Sequence, residues 1–147
     1  MATNSNEVQT RVLNVKTIHF SYNLAQEVAT DHDYDYRLNF QEFFTTETDL
    51  FRLTLTISIC PVNQTDLEKE IASLKVVNDF HIKNIGQFVT NGKLNLSEEL
   101  DKMYISMSYS HARALFADRL SGMNLAPIPI LPIDQIYKAK QSQSSSQ

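Results

Sequence analysis

The sequence predicts an α+β domain: a four-stranded antiparallel sheet with one long helix and one short C-terminal helix. Three observations carry that prediction. The first half alternates apolar and polar residues with the period of two of a half-buried strand, and the stretch after Ser97 repeats them with a helical period. No Gly/Ser-rich or Pro-rich linker separates the two halves, so one domain is expected over residues 11–140. A polar, flexible N-terminus at 1–10 precedes it, and a disordered Ser/Gln tail at 141–147 follows.

The first strand candidate, Arg11 to Leu24, changes phase. Leu13 and Val15 fall on one side and Ile18, Phe20, Tyr22 and Leu24 on the other, which a bulge or strong twist near Lys16 reconciles. The second, Asp33 to Phe44, sets Tyr34, Tyr36, Leu38 and Phe40 against Asp33, Asp35, Arg37 and Asn39. The third sets Phe51, Leu53, Leu55, Ile57 and Ile59 against Arg52, Thr54, Thr56 and Ser58, and Pro61 ends it. A sheet with one solvated face follows. Asn63 to Ala72 is polar, with room for a helical turn. The fourth strand candidate spans Ser73 to Val89, with Val76, Phe80, Ile82 and Phe88 in phase and Gly86 at a bulge.

Asn91-Gly92 reads as a turn. Ser97 then N-caps the long helix, Glu98 and Glu99 suit the positive end of its dipole, and Gly122 stops it. Its wheel carries two apolar stripes. Leu100, Met103, Tyr104, Met107, His111, Ala114 and Leu115 form one, and Ile105, Tyr109, Ala112, Phe116 and Leu120 the other. A small sheet covers one stripe, so the other calls for a second subunit. Met103, Ile105, Met107, Tyr109, Ala112 and Phe116 are the expected oligomer interface. Asn124 to Pro132 holds three prolines and reads as extended, and Ile133 to Lys140 as the short helix.

Composition narrows function. The chain has 147 residues, 42% hydrophobic and 20% charged, enough for a core without disulfides. Its one cysteine, Cys60, excludes an internal disulfide and a cysteine-built zinc site, and fits a reducing, cytoplasmic setting. Thirteen Lys+Arg against seventeen Asp+Glu give a net charge of −4, which opposes binding to nucleic acid or an anionic membrane. No stretch reads as a signal peptide or a membrane span.

Catalytic and metal motifs fail on inspection. Asp31, Asp33, Asp35 and Glu42 match EF-hand spacing, but the position that needs glycine holds Tyr36 inside an alternating strand. His19, His32, His81 and His111 show no paired metal spacing. No GxSxG, P-loop or GxGxxG occurs, and the chain has only three glycines. No enzyme, cofactor or metal is therefore expected. There remain eight Phe and six Tyr. Tyr34, Tyr36, Phe40, Phe43 and Phe44 lie close together, either lining a groove for extended polypeptide or packing a core, and periodicity alone favours the core.

From the helix onward the sequence resembles the protein-export chaperone SecB. Ala112-Arg113 in the helix, Gly122 after it, Asn124-Leu125-Ala126-Pro127 and the helical Ile133 to Tyr137 follow that family's order. Arg37 to Phe40 and Phe51 to Ser58 are similar to its second and third strands in hydrophobic character. The resemblance implies a homotetramer, a dimer of dimers joined through the long helix. It also implies an ATP-independent holdase for unfolded polypeptide clients, with apolar grooves beside the second strand. Tyr36, Leu38 and Phe40 stand at positions the family associates with client contact, and Tyr34 and Phe44 extend that set. SecB docks on the motor SecA through acidic residues of its outer sheet face, where Tyr22, Gln26 and Lys75 stand in this chain. That departure suits a SecB-like chaperone of another client, an antitoxin included. A structural subunit with one fixed protein partner is the alternative.

Overall fold

The computed structural model describes residues 7–23, 34–61, 70–121 and 129–145. Four strands, β1 (Thr10–Tyr22), β2 (Tyr34–Thr45), β3 (Leu50–Pro61) and β4 (Ala72–Ile82), form one antiparallel sheet in the order β1-β4-β3-β2. β1 and β2 are its edges. A two-residue turn at Asn91 and Gly92, both with positive φ (53° and 74°), joins the short β5 (Val89–Thr90) and β6 (Lys93–Leu94). Helices α1 (Glu98–Arg119) and α2 (Ile133–Ser145) complete the predicted α+β architecture. No described helix is long and apolar enough to cross a membrane.

The register converts alternation into two faces. Tyr36 pairs with Ile59, Leu38 with Ile57, Phe40 with Leu55 and Phe44 with Phe51, and β4 continues the rows with Ala72, Leu74, Val76 and Phe80. This apolar face lies under the helices. Leu53, Leu55, Ile57, Leu74 and Val76 are fully buried, each such side chain contributing about 1.5–3 kcal/mol over exposure. Phe51, Phe80 and Tyr104 pack with ring centroids 4.8–6.2 Å apart. The Tyr104 hydroxyl donates to Thr10 Oγ1 at 2.9 Å, so the polar tip of the buried ring is satisfied. The opposite face carries Arg52, Thr54, Lys75 and Asp79, with a bidentate Arg52–Asp79 pair at 2.7 and 3.0 Å.

Ser97 caps α1 as expected, accepting the Leu100 N–H at 3.2 Å, with Glu98, Glu99 and Asp101 in the first turn. The stripe that meets the sheet is Ile105, Tyr109, Ala112, Phe116 and Leu120, joined by Tyr104 and Ser108. This corrects the interface prediction. Ile105, Ala112 and Phe116 are fully buried and Tyr109 is 4% exposed within the chain's own core, so these four have no surface to offer a second subunit. Phe116 lies edge-on to Phe20, and the Tyr109 hydroxyl donates to the Pro129 carbonyl at 2.7 Å. Met103 and Met107 remain partly exposed on the other flank, with Leu100 and Leu115.

Four further boundaries differ from expectation. β1 has two bulges rather than one near Lys16: register slips at Leu13 and Ile18 leave those residues 47% and 50% exposed. β4 ends at Ile82, and Ile85–Phe88, Gly86 included, forms a 3-10 turn. The Asp49 carboxylate fixes that turn by accepting the Asn84 and Ile85 N–H groups at 3.2 and 3.1 Å. At the N-terminus, Val8 packs on the core and the Lys83 N–H donates to the Gln9 carbonyl at 3.0 Å, so residues 7–10 are docked. α2 continues past Lys140 to Ser145, so the Ser/Gln stretch is helical there rather than disordered. Gly122, the Asn124–Pro127 run, and most of Asn63 to Ala72 lie outside the described residues.

Candidate polypeptide-binding face

Among the described strands, β2 pairs on one side only, with β3. Along such an edge, successive residues turn their backbone N–H and C=O groups alternately toward the neighbouring strand and away from it. The Phe40 N–H donates not to β3 but to Gln143 Oε1 of α2, at 2.8 Å. The even-numbered residues Tyr36, Leu38 and Phe40 therefore turn their peptide groups outward. Their side chains share the apolar face.

The predicted client-binding residues are thus brought together, though less openly than a preformed groove requires. Tyr36, Leu38 and Phe44 are partly buried against the core, and Phe40 is only 9% exposed. Tyr34 starts the strand, but its side chain is outside the described part. Phe43, 54% exposed, faces the other way, paired with Arg52 on the polar face.

α2 does the covering. Ile136 is buried, and Leu131, Ile133 and Tyr137 pack against the core. Farther along, the Lys140 ammonium enters between α1 and β2. It donates to Asp101 Oδ1 at 2.7 Å and pairs with the Glu42 carboxylate. Burial works against this charge, but the hydrogen bonds to Asp101 and Glu42 outweigh it and hold the ammonium's pKa above its ordinary value. One turn later Gln143 reaches the β2 edge. Two hollows flank it. One of about 580 Å³ is lined by Phe40, Gln41, Glu42, Phe43, Lys140 and Gln143. The other, of about 530 Å³, lies against Arg37, Asn39, Thr56, Ser73 and Lys75, with Gln143 again in its wall.

Exposed apolar surface also occurs where sequence reasoning did not place a site. Val12, Leu13 and Ile18 of the edge strand β1 are 42–50% exposed. The phase change in β1 was the signal: each slip puts an apolar residue outside the buried row.

Among the described residues, no three His, Cys, Asp or Glu side chains come close enough to hold a metal. His111 Nδ1 donates to Asn78 Oδ1 at 2.9 Å, and the Asn78 amide donates to the Leu53 carbonyl. Cys60 is buried, and desolvation pushes its thiol up, away from the reactive thiolate. Asp31, Asp33 and His32 lie outside the described residues. Tyr22, matched above to an outer-face position, packs toward the helices opposite Ala72, whereas Lys75 does stand on the outer face.

Among solved structures, the chain is similar to Rv1957, a SecB-like chaperone of Mycobacterium tuberculosis, in complex with a ChAD peptide from the Rv1956 HigA1 antitoxin. The TM-score is 0.58 at 14% sequence identity, covering 84% of this chain and 90% of that one. The likeness shows a SecB-like fold. No protein-family model and no curated protein matches the chain.

Proposed function

From a SecB-like fold whose edge strand carries Tyr36, Leu38 and Phe40, we propose that this protein is a non-catalytic, ATP-independent holdase for non-native polypeptides. The observation that carries the reading is the fold, shared with a chaperone solved with a bound antitoxin peptide. Tyr36 and Leu38 set apolar side chains beside outward peptide groups, which suits an extended chain. A client burying its own apolar segments there gains about 25 cal/mol per Å² of surface removed from water, and several such faces in one assembly add avidity. The assembly we propose is a cytoplasmic homotetramer, a dimer of dimers. Two surfaces support subunit contacts: the partly exposed Met103/Met107 flank of α1 and the apolar edge of β1. Lys75, where an acidic docking surface would stand, and the neighbour's antitoxin peptide both favour an antitoxin-type client over delivery to SecA.

Aggregation of a dilution-unfolded protein, followed by light scattering, tests this. Suppression at one tetramer per client is expected, and unchanged aggregation overturns it. The second reading, a subunit with one fixed protein partner, is favoured by one observation, the burial of Phe40 to 9% exposure within the chain's own core, with Gln143 of α2 on its N–H. A holdase retains several unrelated unfolded proteins, whereas a fixed-partner subunit retains one folded protein.

A further inference from the structure

The outer face of the sheet sorts charge in a way the chain as a whole does not. The strand register sets its residues in rows across β1, β4, β3 and β2. One row is Lys16, Val77, Thr54 and Gln41, the next is His19, Lys75, Thr56 and Asn39, and the third is Ser21, Ser73, Ser58 and Arg37. Seventeen Asp+Glu against thirteen Lys+Arg make the chain acidic, yet these three rows hold Lys16, Lys75 and Arg37 and no carboxylate. The row beyond Lys16 adds Arg52, which neutralises Asp79 in the bidentate pair. Lys16 is exposed and Lys75 half-buried, and neither has an ion-pair partner among the described residues. Arg37 has contacts of its own within the chain, so the two lysines carry the uncompensated charge. Lys75 and Arg37 both line the hollow of about 530 Å³, whose wall includes Ser58 and Ser73, with hydroxyls 3.3 Å apart, and Glu70. Cations beside hydroxyl and amide donors are what a carboxylate binds.

We propose that the outer sheet face centred on Lys16 and Lys75 is a docking surface for an acidic, Asp/Glu-rich segment of a partner protein. Charge complementarity selects that occupant. Lys16 lies opposite Val77, two residues along β4 from Lys75, so the lysines are diagonal neighbours about 7–8 Å apart at their backbones and repel one another. A carboxylate placed over them removes that repulsion and gains both attractions. Nucleic acid fits the face less well. The net charge of −4 repels a dense polyanion more than a short acidic peptide, and the three rows contain no aromatic ring on which a base could stack. The holdase reading uses the apolar face on the other side of the sheet, so either assignment can fail without the other.

The test uses the full chain and fluorescence anisotropy, with a labelled peptide of alternating Glu and Ser as the probe and its Gln/Ser counterpart as the control. The Glu/Ser peptide alone is expected to bind, and at least about tenfold more tightly at about 0.01 M than at about 0.15 M salt, as the Debye length falls from about 30 to about 8 Å. Lys16→Glu with Lys75→Glu should weaken binding about tenfold, because each reversal replaces an attraction by a repulsion. Lys16→Gln with Lys75→Gln only deletes the charges and should weaken binding about threefold, which keeps the test decisive if reversal disturbs folding. Lys93→Glu with Lys138→Glu makes the same change in net charge at exposed positions off this face, and should bind within about twofold of wild type. Absence of binding by the Glu/Ser peptide, or equal binding of the Gln/Ser peptide, overturns the proposal. Equal losses in the two Glu variants reduce the effect to net charge and also overturn it. Tighter binding of a single-stranded oligonucleotide of matched charge makes the face a nucleic-acid surface and rejects the proposal. A mass that falls in light scattering when Lys16 and Lys75 are reversed, without peptide, shows that a second copy occupies the face and rejects it too.

Discussion

Replacing Lys140 by Met isolates what its charge contributes to holding α2 over β2. Met keeps most of the unbranched stem and deletes the ammonium that joins Asp101 of α1 to Glu42 of β2. The Lys140 side chain is 11% exposed, Asp101 19% and Glu42 37%, so the cluster lies between a buried and a surface ion pair. Breaking a fully buried pair costs about 3–5 kcal/mol, and a surface pair contributes about 0–1 kcal/mol. The intermediate position gives about 2 kcal/mol, or about 6 °C in Tm for a chain of this size. Because the loss comes from stranding two carboxylates, adding Asp101→Asn to Lys140→Met should recover part of it. The pH dependence has a fixed sign. A folded pKa above the unfolded one gives stability that is complete below the unfolded value, about 10.4, and is lost as pH rises through the folded value. Burial raises the Tyr104 and Tyr109 pKa values too, so they weaken the fold over the same alkaline range. Thermal unfolding by circular dichroism between pH 7 and 11 should show Lys140→Met less stable at pH 7 and less sensitive to alkali. Wild-type stability at pH 7 with an unchanged alkaline slope would refute the role assigned to the cluster.

Phe116→Ala removes a fully buried ring packed on Phe20, and should cost about 3–5 kcal/mol in a urea titration. Met103→Glu with Met107→Glu tests the opposite flank. The fold should survive, while light scattering should show the mass falling below that of the wild-type assembly; an unchanged mass would remove α1 from the subunit contacts. Ser97→Ala deletes the acceptor for the Leu100 N–H, and should lower stability by about 1 kcal/mol without altering assembly.

Strands β2 and β3 were legible because their alternation is uninterrupted and one side chain row is nearly all apolar. The end of β4 was not. Ile85 and Phe88 extend the hydrophobic pattern, but the Asp49 carboxylate, distant in sequence, turns the chain at Asn84 and Ile85. On α1, periodicity exposes two stripes of similar apolar character. Only the positions of Phe20, Phe51 and Phe80 on the sheet decide that Phe116 and Tyr104 go fully inward while Met103 stays partly exposed. The Ser/Gln tail shows the same limit at the candidate site. Its composition offers nothing to bury, and the partner that orders Gln143 lies 103 residues away in sequence. The sequence thus showed which residues line the face, but not that the same chain covers it.

The central claim is that the apolar side of β2 holds polypeptide in its non-native state. Anisotropy titrations with an unfolded protein and with its native form, repeated for the Tyr36→Ser/Leu38→Ser variant, address it directly. Both side chains are partly buried, so losing their contact should remove at least about 1.4 kcal/mol, a tenfold change in Kd. The account predicts binding of the unfolded form alone, weakened at least tenfold in a folded double variant. Equal binding of the native form, or a folded variant that binds as wild type does, would contradict it.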